Sequence, residues 1–447
     1  MLDGKSRTVQ LQIAALTRDE TGRALSRGFI GLVLASAAFL TFWSFVVPIF
    51  ETPDEPDHWQ YARFVNQNQR LPVYGSSFVE ANSPPLYYLL IAPLAVRTEL
   101  PPISYRQEHG DFSLAFPPRH FRNATGDFRR YWPIREARLL TVLMSVLSVA
   151  FCYLAGLEAS GKHLTGLLVG GLVAFWPQFT FRGMSVSNDA LVATLSAITI
   201  YLLVRLIRRG FSWTIGTLAA IAISGAFLSK VNACFLPVPF MITLLSERAM
   251  WRSRFIRLVA LGAIMLLIVA PWMIRNQHLY GDPLVQKEML TAVIQYVRVK
   301  PLISEYFLIR FPLLLTISSI GDFGWMNLLL PIWAYLLYAS ALAFGALCCV
   351  KAVIRHWIAP RLSLVLITIF ILNLVVVIYI NLTFEQPQGR YMLPSVPAVA
   401  LLVGLGLESV KRWSASCTLA AVSLLAVSNV LILLAVVLPA YWPPVGK

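Results

Sequence analysis

The sequence predicts an all-α integral membrane protein with about eleven transmembrane helices and one large polar loop after the first of them. Hydrophobic residues make up 57% of the 447 residues and charged residues 13%, against roughly 25% charged residues in a soluble domain. The mean hydropathy is +0.67. Apolar runs of about 20 residues, the length that crosses a hydrocarbon layer of ~30 Å, recur along the chain. Together these observations exclude a soluble enzyme.

The apolar runs define the predicted spans. They cover residues 28–50, 136–157, 163–181, 189–205, 213–229, 232–246, 256–274, 326–350, 361–381, 392–410 and 415–438. A further apolar stretch, 302–320, contains Glu305 and Arg310, and we expect it to be interfacial or re-entrant. Residues 28–438 then form one polytopic domain between a tail at 1–27 and a tail at 439–447.

The charge of the loops predicts the orientation of the spans. One alternating set of short loops is basic, as is the tail 1–27, and the opposite short loops hold few basic residues. The basic set contains Lys162, Arg205, Arg208, Arg209, Arg248, Arg252, Arg254, Arg257, Lys351, Arg355, Arg361, Lys411 and Arg412. Because lysine and arginine are enriched in cytoplasmic loops, this side is predicted to be cytoplasmic. The net charge of +15 has the same explanation and does not indicate a nucleic-acid partner.

The first polar loop, 51–135, is therefore predicted to be extracytoplasmic. A loop of this length usually has structure or function of its own. The pattern predicts one helix at 54–68 and a second, apolar helix at 85–96. Twelve residues are too few to cross a membrane, so the second helix is expected to lie in the interface.

The stretch "ETPDEPDH", residues 51–58, begins this loop with four carboxylates. Thr52 and Glu55 have the spacing of a capping box, and Asp54 as N-cap is a competing register. Capping explains one or two of the acids but not four, which repel one another. Asp54 and His58 are four residues apart and would share a helix face, whereas Glu55 would point about 100° away. Spacing alone leaves open a general base, a cation site or helix-end electrostatics.

The order of the loop motifs resembles that of the GT-C glycosyltransferases, polytopic enzymes that use polyprenyl-phosphate-linked sugars. Their protein O-mannosyltransferase and aminoarabinose-transferase branches carry an Asp-Glu pair after the first transmembrane helix, which corresponds here to Asp54-Glu55. An uncharacterised bacterial branch shares more of the pattern, including Asn-Asp-Ala-Leu and Phe-Gly-Trp. The segment 56–58, Pro-Asp-His, departs from the characterised branches. The other similar elements are "PPLYY" (84–88), "APWMIRNQHLYGDPL" (270–284) and "PQGRYMLPSVPA" (387–398).

The resemblance implies transfer of a sugar from a polyprenyl-phosphate donor to an extracytoplasmic glycan, lipid or protein acceptor. The reaction would occur at the outer face of a bacterial inner membrane. Asp54 would be the general base, with a pKa near the working pH, and Glu55 and His58 would support it. The cations expected to bind the donor phosphate are Arg390, Lys230 and Arg275. The residues expected to bind the rest of the substrates are Tyr391, Asn188, Asp189 and Tyr87.

Several of these positions have a structural alternative. Arg390 is also placed to be an interfacial anchor, and Arg275 ends a predicted helix, where arginine commonly snorkels. Asn188 and Asp189 begin a span, where they are ordinary capping residues. Lys230 lies between two spans, where a charge is costly unless it is paired.

The sequence leaves open whether the protein uses a divalent cation, and it leaves two rival functions. Some GT-C branches use a divalent cation, and Mg²⁺ or Mn²⁺ would here bind to Asp54 and Glu55; other branches need no metal. The rival functions are a transporter or flippase of lipid-linked glycans and a glycan polymerase or ligase. A transporter is expected to carry charges at mid-membrane and repeat symmetry, whereas this sequence places its charges near one surface.

Overall fold

The computed structural model describes residues 27–74, 79–95, 131–292, 294, 297, 299–410 and 413–442. Most of the two predicted tails lies outside the described residues. So does the stretch 96–130, which is a large part of the predicted loop 51–135.

Helices form most of the described chain. One antiparallel hairpin, β1 (Asp322–Phe323) with β2 (Leu328–Leu329), is the only sheet among the described residues. In chain order the helices are α1 (Arg27–Val46), α2 (Glu55–Asn68), α3 (Leu86–Ile91), α4 (Trp132–Ser160), α5 (His163–Ala174), α6 (Pro177–Gly183), α7 (Asn188–Arg209), α8 (Trp213–Ser229), α9 (Pro237–Leu245), α10 (Trp251–Tyr280), α11 (Gln286–Ala292), α12 (Phe311–Ile320), α13 (Ile332–Ile354), α14 (Pro360–Asn381), α15 (Val396–Glu408), α16 (Ala415–Ile432) and α17 (Leu438–Tyr441).

Eight helices of the described residues are long and apolar enough to cross a membrane. A ninth span results if α5 and α6, whose axes differ by 67°, are counted as one broken helix. The predicted class, an all-α polytopic membrane protein, is therefore confirmed. The eight are α1, α4, α7, α10, α13, α14, the composite helix Gly389–Glu408 that ends in α15, and the composite helix Ala415–Tyr441 that contains α16 and α17.

The predicted count of about eleven spans is not confirmed. Each predicted span coincides with an apolar helix, but α8 and the helical segment Val231–Leu245 are shorter than a full span. Lys230 interrupts the apolar run between these two segments, and Pro237 starts α9. The stretch 302–320, which was not predicted as a span, contains another short apolar helix, Tyr306–Ile320.

Close backbone contact joins the end of α4 to the start of α5. A Cβ atom on Gly156 would lie 3.0 Å from both Gly166 Cα and Thr165 O. Only glycine fits there without moving its neighbours, and small residues of this kind are how membrane helices approach closely.

The predicted helices of the polar loop are present. Helix α2 matches the prediction for 54–68, and α3 with the short turn Ala92–Leu94 matches most of 85–96. We call the end of the bundle that carries α2 the acidic end. The β1–β2 hairpin covers the end of α1 there: Phe323 packs on Trp43 with ring centroids 5.4 Å apart, and Trp325 Nε1 donates to Phe50 O at 3.0 Å.

The carboxylate of Glu55 anchors α2 to the bundle. It is fully buried and accepts from the backbone N–H groups of Phe50 and Val186 at 2.8 and 2.9 Å. Both of its oxygens also accept from the Arg138 guanidinium, at 2.6 and 2.7 Å. The predicted capping box of Thr52 and Glu55 is therefore wrong, because the glutamate turns inward to Arg138 instead of back to the helix start.

Arg138 on α4 completes this anchor. Its remaining N–H groups donate to the carbonyl oxygens of Ser44, in the last turn of α1, and of Val47 and Pro48, which follow α1. Carbonyls at and just after a helix end lack a partner further along the helix, and the Pro48 carbonyl also accepts from the Glu51 N–H group at 3.3 Å. The Glu55–Arg138 pair thus joins α1, α2 and α4 through hydrogen bonds that leave no exposed part of either side chain.

Replacing Arg138 by Met should destabilise the folded protein by about 3–5 kcal/mol, because it leaves the Glu55 carboxylate buried without a counter-ion. The double variant Glu55→Gln/Arg138→Met should be less destabilised than Arg138→Met alone. Thermal unfolding of the purified protein in one detergent measures both.

The matched control is Arg209→Met. Arg209 forms the same kind of fork with Glu158, but its side chain is 62% exposed, so the change should leave stability almost unaltered. Equal losses in Arg138→Met and Arg209→Met would contradict an anchoring role for the buried pair.

Candidate functional site

Five charged side chains from distant parts of the chain meet at the acidic end. Asp54 Oδ2 lies 2.5 Å from an Nη atom of Arg390, which precedes α15. Asp189, at the start of α7, lies 2.8 Å from the guanidinium of Arg182 on α6. The ammonium of Lys230 also contacts Asp189. Three cations and two carboxylates therefore form two adjacent ion-pair groups.

Asp54 occupies the N-cap position of α2 without capping it. Its φ angle is 64°, in the left-handed region, and its side chain accepts no hydrogen bond from the first turn. The carboxylate points instead to Arg390, with 29% of the side chain exposed. A residue other than glycine seldom adopts this backbone conformation, although aspartate tolerates it better than most.

The environment lowers the pKa of Asp54. Burial alone would raise it, but the neighbouring Arg390 guanidinium lowers it, with His58 and Arg182 acting in the same direction. Asp54 is therefore ionised at neutral pH. This differs from the expectation of a pKa near the working pH, because the ion pair with Arg390 could not be foreseen from the sequence.

His58 lies close to Asp54 together with Glu80. Its Nδ1 is 2.8 Å from the Tyr88 hydroxyl and 3.9 Å from a Glu80 oxygen. Burial lowers the pKa of His58, although Glu80 and Asp54 oppose this effect, so the imidazole is neutral at pH 7. Sequence reasoning missed Glu80, which lies in a polar stretch that no pattern distinguishes.

The structure does not fit the predicted metal pair. Both oxygens of Glu55 bind Arg138 and backbone N–H groups, so Glu55 cannot share an ion with Asp54. Asp54, His58 and Glu80 place one ligand atom each within 4.8 Å of one another. However, the Arg390 guanidinium already neutralises Asp54 and would lie beside the cation. In this conformation the group does not fit a divalent ion.

Lys230 and Asp189, both predicted from the sequence, are partners of each other. Asp189 is fully buried, and both of its oxygens bind cations, from Lys230 and Arg182. The Lys230 ammonium also lies 4.9 Å from the centre of the Tyr391 ring. The ion pair with Asp189 offsets the free-energy cost of a charged Lys230 between two apolar helical segments.

The other predicted residues lie around this cluster or apart from it. The Tyr391 hydroxyl contacts the Gln386 side chain. Asn188 lies 3.5 Å from the Tyr88 hydroxyl, and Tyr87 pairs with a threonine on α4 at 2.8 Å. Arg275 is outside the cluster, because its guanidinium donates to the Pro72 carbonyl at 2.8 Å.

An apolar cavity of about 720 Å³ lies against the chain segment that carries Arg390. Gly389 and Met392, which flank Arg390 in the chain, line it. A Cβ atom on Gly389 would lie 2.3 Å from the backbone of Ser319 on α12, so only glycine allows the Arg390 segment to pack this closely. Gln178 lines both this cavity and a small cavity that Arg390 also lines.

Asp322 of β1 is a carboxyl group that the sequence analysis did not select. It lines the small cavity with Arg390 and Arg182. The side chain is buried, and neither oxygen has a hydrogen-bond partner among the described residues. Burial raises its pKa to about 7. The sequence stretch that contains it is "GDFGW", 321–325.

Asp322→Asn should raise the stability of the protein increasingly as the pH rises from about 5 to 8. The folded state holds the Asp322 proton more tightly than the unfolded chain, so the wild-type protein loses about 1.4 kcal/mol per pH unit between the two pKa values. The asparagine variant has no such loss. Apparent melting temperatures across this pH range measure the difference.

The control is Asp282→Asn, which removes a partly exposed carboxylate that accepts the N–H groups of Gln286 and Lys287. It should bring no stability gain as the pH rises. Parallel pH profiles for wild type and Asp322→Asn would show that Asp322 has a partner in solution.

Comparison with known proteins identifies the fold. A family model described as dolichyl-phosphate-mannose-protein mannosyltransferase matches residues 132–274. No curated protein sequence matches the chain. The fold is similar to ArnT from Cupriavidus metallidurans, in a crystal structure bound to undecaprenyl phosphate, with a TM-score of 0.57 and 15% identity. The alignment covers 91% of this chain and 65% of the ArnT chain.

A second similar structure is the archaeal oligosaccharyltransferase AglB from Archaeoglobus fulgidus, in complex with an inhibitory peptide and a dolichol-phosphate. Its TM-score is 0.51 at 12% identity, and the alignment covers 90% of this chain and 54% of that one. The chain thus spans 65% of the length of the ArnT chain and 54% of that of the AglB chain. The predicted resemblance to GT-C glycosyltransferases is confirmed, and the chain has their fold.

Proposed function

We propose that this chain, which has the GT-C fold, transfers a sugar from a polyprenyl-phosphate donor to a hydroxyl group of an acceptor. One observation supports this more than any other: an apolar cavity of about 720 Å³ is lined by Gly389 and Met392, in the same segment as an arginine, Arg390, that is paired with a carboxylate. A polyprenyl-phosphate sugar has the complementary order of groups, an apolar chain, then an anion, then the sugar.

In this proposal Arg390 binds the donor phosphate. Its side chain is only 8% exposed, and Arg390 lies at the start of the helical segment Gly389–Ser395, part of which lines the cavity. Arginine binds phosphate oxygens through paired N–H groups. The isoprenoid would lie in the cavity against Met392 and its apolar neighbours. Lys230 and Arg182 hold Asp189 and add positive potential beside the phosphate.

Asp54 is the proposed general base. The acceptor oxygen would form a bond to the anomeric carbon of the sugar and lose its proton to the Asp54 carboxylate. The bond between the anomeric carbon and the phosphate oxygen would break, and its electron pair would leave with the phosphate beside Arg390. Charge that develops on the leaving group is then stabilised by a cation already in place.

Glu55 and His58 are proposed as positioning residues. Glu55 fixes the start of α2 through Arg138, so it sets where Asp54 lies without reaching the substrate. His58, which contacts Tyr88 and lies near Glu80, is next to Asp54. In this proposal the acceptor approaches Asp54 beside these residues.

The location of the reaction is also part of the proposal. The basic loops predict that the opposite end of the bundle faces the cytoplasm, so the acidic end would face outward from a bacterial inner membrane. The acceptor would be a glycan, lipid or protein on that side. The clustering of buried charges at one end favours an enzyme over a transporter, in which charges at mid-membrane are expected.

Asp54→Asn and Arg390→Ala should each lower the rate of sugar transfer by at least ~100-fold, the usual contribution of a general base or of an electrostatic donor. Arg390→Ala should also raise the concentration of donor that gives half-maximal rate. The assay uses the purified full chain with polyprenyl-phosphate sugars and candidate acceptors, and it measures release of polyprenyl phosphate.

Arg275→Ala is the matched control, because it removes an arginine from the same end of the bundle but outside the cluster. It should keep most of the activity if it folds, as judged by size-exclusion chromatography. Full transfer by folded Asp54→Asn would overturn the assignment of the base.

A further inference from the structure

The ion pair between Asp54 and Arg390 uses two groups that the proposed reaction needs separately. Asp54 contributes a carboxylate from the loop segment before α2, and Arg390 a guanidinium from the segment before α15. The two residues are 336 positions apart, and their side chains meet at 2.5 Å. A base that is held by a cation is not free to take a proton from an acceptor.

The Arg390 guanidinium does not use all of its N–H donors in hydrogen bonds to the described residues. One Nη group contacts Asp54, and the other has only a 3.5 Å contact with the Tyr391 hydroxyl. Its Nε is buried and has no hydrogen-bond partner among the described residues. An arginine that binds phosphate does so with two N–H groups at once, so the guanidinium still has the capacity to bind an anion.

The Asp54–Arg390 pair is also the one that a ligand can exchange. Asp189, which holds both Lys230 and Arg182, is fully buried within the bundle. Asp54 is 29% exposed and belongs to a loop segment. Its backbone is in the left-handed conformation, and its side chain makes no capping bond. Asp54 therefore loses no helix-capping interaction if its carboxylate leaves Arg390.

We propose that the donor phosphate and the Asp54 carboxylate compete for Arg390, so that donor binding releases Asp54 to act on the acceptor. This inference rests on the proposed function, in which Arg390 binds the donor. Even a phosphate on the free Nε edge would lie within a few ångströms of the Asp54 carboxylate, and two anions this close repel strongly where water is excluded. Binding of one anion thus opposes binding of the other.

The competition makes the base dependent on the donor. Without donor, Arg390 holds Asp54 and lowers its pKa, which makes it a weak proton acceptor. With the phosphate on Arg390, Asp54 loses this stabilisation and becomes a stronger base. The acceptor would then be activated only in a site that already holds the sugar to be transferred.

The test is equilibrium binding of undecaprenyl phosphate to the purified full chain in one detergent. Asp54→Asn should bind this lipid about tenfold more tightly than wild type, the size of an ordinary coupling between two ligands. It should do so although it transfers sugar at least ~100-fold more slowly than wild type. If Asp54 acted only as a base and did not compete for Arg390, removing its carboxylate would not raise the affinity for undecaprenyl phosphate. Arg390→Ala should bind the lipid at least about tenfold more weakly.

Two further variants guard against misfolding and against a general charge effect. Asp54→Gly also removes the carboxylate, and glycine adopts a φ of 64° without strain, so it should show the same gain. Glu385→Gln removes a carboxylate from the ion pair with Lys300 and should leave the affinity unchanged.

The outcomes separate the two proposals. If Arg390→Ala weakens binding while both Asp54 variants bind like wild type, the phosphate site stands and the competition is wrong. If Arg390→Ala binds undecaprenyl phosphate as wild type does, the proposed phosphate site fails and the competition fails with it. A gain in Glu385→Gln equal to that in Asp54→Asn would reduce the effect to net charge and would also overturn the competition.

Discussion

The buried pair of Glu55 and Arg138 is the interaction on which the geometry of the acidic end depends. It binds the carbonyls of Val47 and Pro48 just after α1, binds the backbone before α7 through Val186, and fixes the first turn of α2. Two ions taken out of water are stable only when each is fully hydrogen-bonded, and both are here. Because Asp54 precedes Glu55 directly, this pair also determines where the Asp54 carboxylate can reach.

The adjacent acids Asp54 and Glu55 thus have different roles in one site. Glu55 turns inward to a structural arginine, whereas Asp54 turns across the bundle to Arg390. Both arginines neutralise a carboxylate, but only one of the two pairs is partly exposed. Burial, more than charge, distinguishes the group that holds the fold from the group that is available to a ligand.

The sequence was sufficient for the class of fold, the two loop helices and the convergence of Asp54, Lys230, Asp189 and Arg390 on one end of the bundle. The alternation of the spans and the charge of the loops predict at which end of the bundle a residue lies. This prediction requires no knowledge of side-chain contacts. Pairings could not be predicted, because Asp54 and Arg390 are 336 positions apart. Arg138 and Arg182 were missed as partners, since an arginine at the end of an apolar run normally indicates the membrane interface. Glu80 and Asp322 were missed because only the fold brings them beside the cluster.

The apolar cavity beside Gly389 has a practical consequence for handling the protein. A void of about 720 Å³ lined by leucine, phenylalanine and methionine forgoes many dispersion contacts when it is empty, and an apolar guest regains them. Once the protein is extracted from its membrane, the alkyl chain of the solubilising detergent is such a guest. The choice of detergent therefore belongs among the variables of any lipid-affinity measurement, since a long-chain detergent acts as a competitor that is present throughout the preparation.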